Sequence, residues 1–277
     1  MKLWGISDLH VGQPANRRLL ETCTPHPDDW LLLGGDLGET LDHLEAVITT
    51  LKPRFERLVW IPGNHELWDS DGVSGQRKYE ACLSVCERHG VLTPEDDYVR
   101  WPGDGPRTVI APLFLLYDYS FAPDEVGPDR AVAWAAEDGI VCADERALSP
   151  TPWPSRAAWC HARVEQTQKR LDMLPPDTAT VLFNHFPLRR DLVFIPRIPR
   201  FVPWCGTRAT EAWHQKYRAR VCVSGHLHVR TTRLIDGVRF EEVSLGYTRQ
   251  WDNTKTFDHY LREILPGPPQ PRSAYHR

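Results

Sequence analysis

Five short apolar runs in this chain each stop at a cluster of glycine, carboxylate, amide or imidazole. The clusters are Asp8-Leu9-His10, Gly35-Asp36, Gly63-Asn64-His65-Glu66, Asn184-His185 and Gly225-His226-Leu227-His228. The runs before them are Leu3–Ser7, Trp30–Gly34, Leu58–Pro62, Thr180–Asn184 and Val221–Ser224, with the length and branched composition of buried strands. Thr108–Pro112 and Val238–Leu245 read the same way. Between them lie longer helical segments, Asn16–Cys23, Glu39–Leu51, Gln76–His89 and Ser155–Leu174. In the second of these, Leu41, Leu44 and Ile48 form one stripe, as an amphipathic helix requires. Strands alternating with helices predict a layered α/β fold. Ligands bind beyond the carboxyl ends of strands in such sheets, so the five clusters are expected to converge on one site.

Composition narrows the class. With 277 residues, 41% of them hydrophobic, the chain can bury a sizeable core as one large domain. Its longest apolar stretches, such as Val109 to Tyr117, fall well short of the about 20 residues of a membrane span. The first residues reach an acid at Asp8 without the apolar region of a secretory signal, so a cytoplasmic location is expected. A net charge of −4 weighs against a long nucleic acid as partner. The seven cysteines are odd in number and include no C-x-x-C pair, which reads as reduced, buried thiols. Residues 101–160, rich in Pro, Asp and Trp and without periodicity, read as an irregular insertion or cap. The expected organisation is one domain over 1–265, followed by a flexible tail at 266–277.

The residue types in the clusters point to a metal. Asp8, His10, Asp36, Asn64, His185, His226 and His228 offer oxygen and nitrogen but no sulfur, a set suited to Mn, Fe, Zn, Ni or Co. In an extended segment residues i and i+2 project the same way. On that geometry Asp8 with His10, and His226 with His228, each face one site. Seven donors exceed what one ion needs. Two divalent ions sharing a carboxylate would use them all, and such pairs, about 3.5–4 Å apart, clamp an in-line displacement at phosphorus.

In this order over residues 8 to 228, the blocks resemble the signature of the calcineurin-like metallophosphoesterases. The resemblance implies a four-layer α/β/β/α sandwich of two mixed sheets, with the site at one edge beside the insertion. It implies a first ion on Asp8, His10, Asp36 and His228 and a second on Asp36, Asn64, His185 and His226, bridged by Asp36. The implied reaction is hydrolysis of a phosphate ester by metal-bound hydroxide, with His65 protonating the leaving oxygen rather than binding metal. The family orients this histidine through an acid three residues after the bridging Asp. Glu39 holds that place here, and Glu66 is the neighbouring alternative. Purple acid phosphatases carry a ligating Tyr at the position of Glu39, so a ferric centre of that type is not expected. Some lipid-A precursor hydrolases carry Arg where His65 stands.

Substrate choice is less constrained. Arg189 and Arg190, followed by Arg197 and Arg200, come soon after His185 and are candidates for gripping a phosphate or carboxylate; the competing reading is a solvated loop. Trp68 lies three residues beyond His65 and is expected to border the pocket, with Asn64 also facing substrate. Tyr247 and Arg249 are weaker candidates of the same kind. A small soluble phosphorylated metabolite or nucleotide is the expected substrate, with monoester and diester both open. The alternatives are phosphodiesterase or nuclease activity on a cyclic nucleotide or nucleic acid and, from a different class, a metal-binding scaffold without turnover.

Overall fold

The computed structural model describes residues 1–70 and 72–267. In chain order the elements are β1 (Leu3–Ile6), α1 (Pro14–Glu21), β2 (His26–Leu33), α2 (Leu41–Leu51), β3 (Phe55–Trp60), α3 (Gly75–Arg88), β4 (Val99–Arg100) and β5 (Thr108–Pro112). There follow α4 (Ala131–Glu137), α5 (Asp144–Ala147), α6 (Arg156–Asp172), β6 (Ala179–Phe183), α7 (Trp213–Lys216), β7 (Ala219–Ser224), β8 (Thr232–Ile235), β9 (Val238–Glu242) and β10 (Arg262–Leu265).

The strands form two mixed sheets, ordered β10-β1-β2-β3 and β4-β5-β6-β7-β9-β8. In the first, β1, β2 and β3 run parallel and β10 pairs antiparallel along the free edge of β1. In the second, β5, β6, β7 and β9 are parallel, and β4 and β8 close the edges antiparallel. The period-two pattern of each strand sorts its side chains into two layers. Leu3, Trp30, Leu32 and Val59 of the first sheet join Ile110, Val181, Phe183, Val221 and Val223 of the second in one buried cluster between the sheets. Their alternate neighbours, including Leu31, Leu33, Trp60 and Leu182, belong to the larger core shared with the helices. On that side Tyr79 of α3 stacks on Trp60 of β3, with ring centroids 6.4 Å apart. This is the expected α/β sandwich of two mixed sheets.

Parallel strands place their carboxyl ends together, and both sets open toward the same edge. There the sheets are joined by a bridge between Ser7, beyond β1, and Ser244, beyond β9. The Nδ1–H of His185 also donates to the carbonyl of Gly34 at 2.7 Å. Caps fix the helices that leave this edge. Thr40 accepts from the backbone N–H of His43 at the start of α2, and Ser155 from that of Ala158 at the start of α6.

Several boundaries differ from the sequence reading. β2 begins at His26 rather than Trp30, because His26 pairs with Phe55 ahead of a register shift between His26 and Trp30. β9 ends at Glu242, and residues 243–245 turn away to the Ser7 bridge. β4 has two residues and β8 is mostly exposed, so neither carries an apolar signal. Residues 101–160 contain β5, a buried run from Leu113 to Tyr117, and the short helices α4 and α5. All seven cysteines are buried and free. The tail expected over 266–277 lies outside the described residues from 268 onward.

Phe183 is fully buried between the sheets, against the turn at Gly34. Phe183→Ala is expected to cost about 3–5 kcal/mol in chemical denaturation, the range for deleting a buried aromatic ring. A loss below about 1 kcal/mol would show that the sheets do not pack around it.

Candidate metal centre

The loops after β1, β2 and β7 share an unusual backbone. Asp8, His10, Asp36, His226 and His228 all have positive φ, at 55°, 41°, 52°, 72° and 55°. They are five of the nine non-glycine residues with positive φ among the described residues. Each such residue carries a cost on the order of 1 kcal/mol. The i and i+2 pairs therefore reach the site through left-handed turns, not through the extended geometry expected from the sequence. The turn also divides one pair: His228 gathers with Asp8 and His10, whereas His226 gathers with Asp36 and His185.

Hydrogen bonds between the loops hold this backbone in place. Asp8 N–H donates to Gly35 O at 2.9 Å, His10 N–H to Asp36 O at 3.0 Å and Gly246 N–H to Asp8 O at 3.0 Å. The buried Glu66 carboxylate accepts from the N–H groups of Leu37, Asp36 and Gly63 at 2.6, 2.8 and 2.9 Å. Burial, with Asp36 nearby, pushes Glu66 up to about 7. Two glycines let the loops touch. A Cβ on Gly35, which has φ 79°, would lie 2.3 Å from Gly63 N, and one on Gly63 would lie 2.1 Å from Asp36 Oδ1.

Asp8, His10 and His228 offer donor atoms within 4.8 Å of one another, and so do Asp36, His185 and His226. His10 and Asp36 lie in a third such group with His65. Asp8 Oδ2 accepts from Ser7 Oγ, Ser244 Oγ and the backbone N–H of His226 at 2.6–3.0 Å, leaving Oδ1 to face His228 Nε2 at 3.0 Å. The Nδ1–H bond from His185 to Gly34 fixes that ring with Nε2 inward, and Gln250 Oε1 takes the Nδ1 proton of His228 at 2.8 Å. Burial lowers His10 to about 4 and His226 to about 3, which keeps both imidazoles neutral with a lone pair to offer. Burial opposes charge on Asp8 and Asp36, yet His228 holds the first and His65 and His185 the second well below the usual carboxylate range.

Four buried atoms here have no hydrogen-bond partner: Asn64 Oδ1, His185 Nε2, His226 Nε2 and His65 Nδ1, the last 3.6 Å from Glu39 Oε1. Each unsatisfied atom costs about 1–3 kcal/mol. A divalent cation would accept lone pairs from Asn64 Oδ1, His185 Nε2 and His226 Nε2, so these residues fit a metal. The grouping of Cys23, His26 and Asp258 differs, because its members bond one another and nearby backbone: His26 Nε2 lies 2.7 Å from Asp258 Oδ1, and Cys23 Sγ donates to Thr24 O.

His65 follows Asn64 after β3. Its Nδ1 lies 3.6 Å from Glu39 Oε1, and its Nε2 lies 3.7 Å from Asp36 Oδ2. Burial opposes a proton on this ring, but Asp36 and Glu39 raise it to about 9. Of the two acids considered from the sequence, Glu39 faces His65, while Glu66 is committed to backbone. Trp68 stacks on His65 with centroids 3.7 Å apart, and Tyr247 stacks on His10 at 4.5 Å.

These groups floor a cleft of about 320 Å³. One wall is apolar and includes Ile195, Ile198, Phe201 and Leu227; another carries Trp68, Tyr247 and Arg249. Arg189 and Arg190 do not line it. Arg189 forks onto Asp191 at 2.9 and 2.7 Å, and Arg190 Nε donates to Phe121 O at 2.6 Å, so local partners turn both guanidinium groups elsewhere. Asp144 is the residue the sequence did not signal. It is fully buried on α5, inside the aperiodic stretch, and lines the cleft beneath Asn64.

Residues 1–230 match the calcineurin-like phosphoesterase family. Acyl-carrier-protein phosphodiesterase PptH of Mycobacterium tuberculosis is 44% identical over 272 residues, which is 96% of this chain and 84% of that protein. The crystal structure of phosphopantetheinyl hydrolase (PptH) from Mycobacterium tuberculosis superimposes with a TM-score of 0.92 at 44% identity, covering 96% of each chain. The protein TT1561 of Thermus thermophilus is 11% identical over 87% of this chain and 88% of that one, with a TM-score of 0.45, too distant to bear on the site. The chain belongs to the calcineurin-like phosphoesterase family and is a hydrolase of phosphoric esters.

Gly63→Ala is expected to displace Asp36 and to lower the manganese bound per chain, measured by elemental analysis on protein whose circular dichroism matches wild type. Unchanged manganese in that sample would mean that the Gly63 turn does not set the position of Asp36.

Proposed function

We propose that this calcineurin-like phosphoesterase is a phosphodiesterase that releases the phosphopantetheinyl group from an acyl carrier protein. The observation that carries the reading is the cleft, where inward-facing Asp, Asn and His donors adjoin an apolar wall of Ile195, Ile198, Phe201 and Leu227. Such a cleft suits a charged phosphoryl group at its floor and a long uncharged arm along its side. The 44% identity to a relative named for this activity supports the same choice. The reading takes residues 1–265 as one catalytic unit.

In this proposal Asp8, His10, Asp36 and His228 hold one divalent cation, and Asp36, Asn64, His185 and His226 hold another, with Mn or Fe among the candidates. Bound there, the cations supply Lewis acidity toward the phosphoryl oxygens and lower the pKa of water. The chain's own groups do the rest. Asp36, shared between the sites, sets their spacing. Glu39, 3.6 Å from Nδ1 of His65, pairs with the protonated ring on that side and so leaves Nε2 to the ester. As water attacks phosphorus, the P–O bond to the carrier breaks, and its oxygen takes the His65 proton. Trp68 holds the His65 ring from behind by stacking. Phe201 stacks beside His226, with ring centroids 5.9 Å apart, and adds apolar surface next to the floor.

The test is hydrolysis by metal-stripped protein reconstituted with manganese. Bis-p-nitrophenyl phosphate is expected to be preferred over p-nitrophenyl phosphate, and phosphopantetheinylated carrier protein to lose its group by mass spectrometry. A preference for the monoester together with an intact carrier would overturn the reading. His65→Ala is expected to reduce turnover about 10²–10⁴-fold with metal content unchanged, the usual scale of general acid catalysis. Asp36→Ala is expected to lose metal as well as activity; full loading in that variant would remove Asp36 from its shared role.

A further inference from the structure

We infer that Asp144 is a positioning residue for the metal centre, through which the segment outside the sheets helps to build the cation site. The inference rests on the proposed role of Asn64 as a ligand. Asp144 is fully buried on the short helix α5, and Val141, Cys142 and Ala143 just before it line the cleft. Its Oδ1 accepts from Asn64 Nδ2 at 2.9 Å and from Trp68 Nε1 at 2.7 Å, and its Oδ2 accepts from the Tyr117 hydroxyl at 3.0 Å. The amide and indole groups facing Asp144 are pure donors at those atoms.

The consequence for Asn64 is directional. An asparagine side chain presents an oxygen or an NH2 group depending on which way the amide is turned. A carboxylate oxygen 2.9 Å away accepts only from the NH2 end, so Asp144 turns Oδ1 away from itself, where it stands buried and without a hydrogen-bond partner beside the cleft that Asn64 lines. The oxygen end is the one a cation can use. The same Asp144 oxygen anchors the indole of Trp68, whose ring stacks on His65 at 3.7 Å. One carboxylate thus aligns both the ligand and the support of the proposed proton donor. α5 is itself pinned by Arg156, which donates to the carbonyls of Asp144 and Leu148 and pairs with Glu145 at 3.0 Å. The segment that bears Asp144 is therefore rigid where it meets the site.

Asp144→Ala removes the acceptor. Asp144→Leu does so while filling the carboxylate's volume, which keeps the test alive if the alanine variant fails to fold. Both are expected to weaken binding of the second manganese about 10–100-fold by calorimetry, with the first ion held as in wild type, the scale usual for partners of metal ligands. Turnover falls with that loss, while KM for bis-p-nitrophenyl phosphate changes little. Asp144→Asn keeps an oxygen for Asn64 and Trp68, and its NH2 can donate to the Tyr117 hydroxyl, so it is expected to recover most of the affinity. Wild-type affinity for both ions in a folded Ala or Leu variant would overturn the inference, as would an Asn variant no better than Ala. Asn64→Ala separates the two levels. If it binds both ions normally, the ligand assignment fails; if it loses the second ion while the Asp144 variants do not, only the role of Asp144 fails.

Discussion

The site depends on how strand-end loops that would rather relax are kept folded inward. Five of its residues sit in the left-handed region, which L-amino acids avoid because Cβ crowds the following carbonyl oxygen. That cost, several kcal/mol in sum, needs an opposing term. Part of it is the carboxylate of Glu66, which collects three backbone N–H groups from two separate loops. Were those donors left bare in the interior, each would cost about 1–3 kcal/mol more. Glu66 thus acts on the backbone, and Asp36 comes to face the cleft as a result.

Charge is arranged around the same frame. Asp8 and Asp36 are buried carboxylates, which a low-dielectric interior disfavours unless donors or cations surround them. Asp8 has two serine hydroxyls and a backbone N–H on one oxygen, with the other facing His228. Neutral His10 and His226 add lone pairs to the same space. The interior therefore gathers carboxylates, an amide oxygen and imidazole nitrogens around one space, a set that suits a divalent cation.

Much of this was legible in the sequence because its signals are local. Apolar runs of strand length ending at Asp8, Asp36, Asn64, His185 and His226 announce parallel strands whose ends meet, and both the two-sheet sandwich and the family follow from them. What was not legible depends on tertiary context. Nothing near Asp8 or His228 announces a left-handed backbone, since that conformation is imposed by the loops around them. Arg189 was expected at the substrate, but a fork to Asp191 two residues on captured it. Asp144 sits in a stretch without periodicity, 80 residues from the Asn64 it contacts, and only the fold brings the two together. The edge strands β4 and β8 are too short or too exposed to leave an apolar trace.

The pairing of β10 with β1 has a consequence for how the protein comes to be made. β1 leaves the ribosome long before its edge partner, Arg262–Leu265. Domains emerge at about 5–20 residues per second. The nascent chain therefore spends many seconds with one side of β1 unpaired, an open edge that can recruit another strand. Residues from position 8 to position 228 must also come together before a cation has its full set of donors, and contacts so distant in sequence form slowly. Assembly of the centre thus waits on the last of its loops, and the histidine-lined pocket is complete only after His228 has been synthesised.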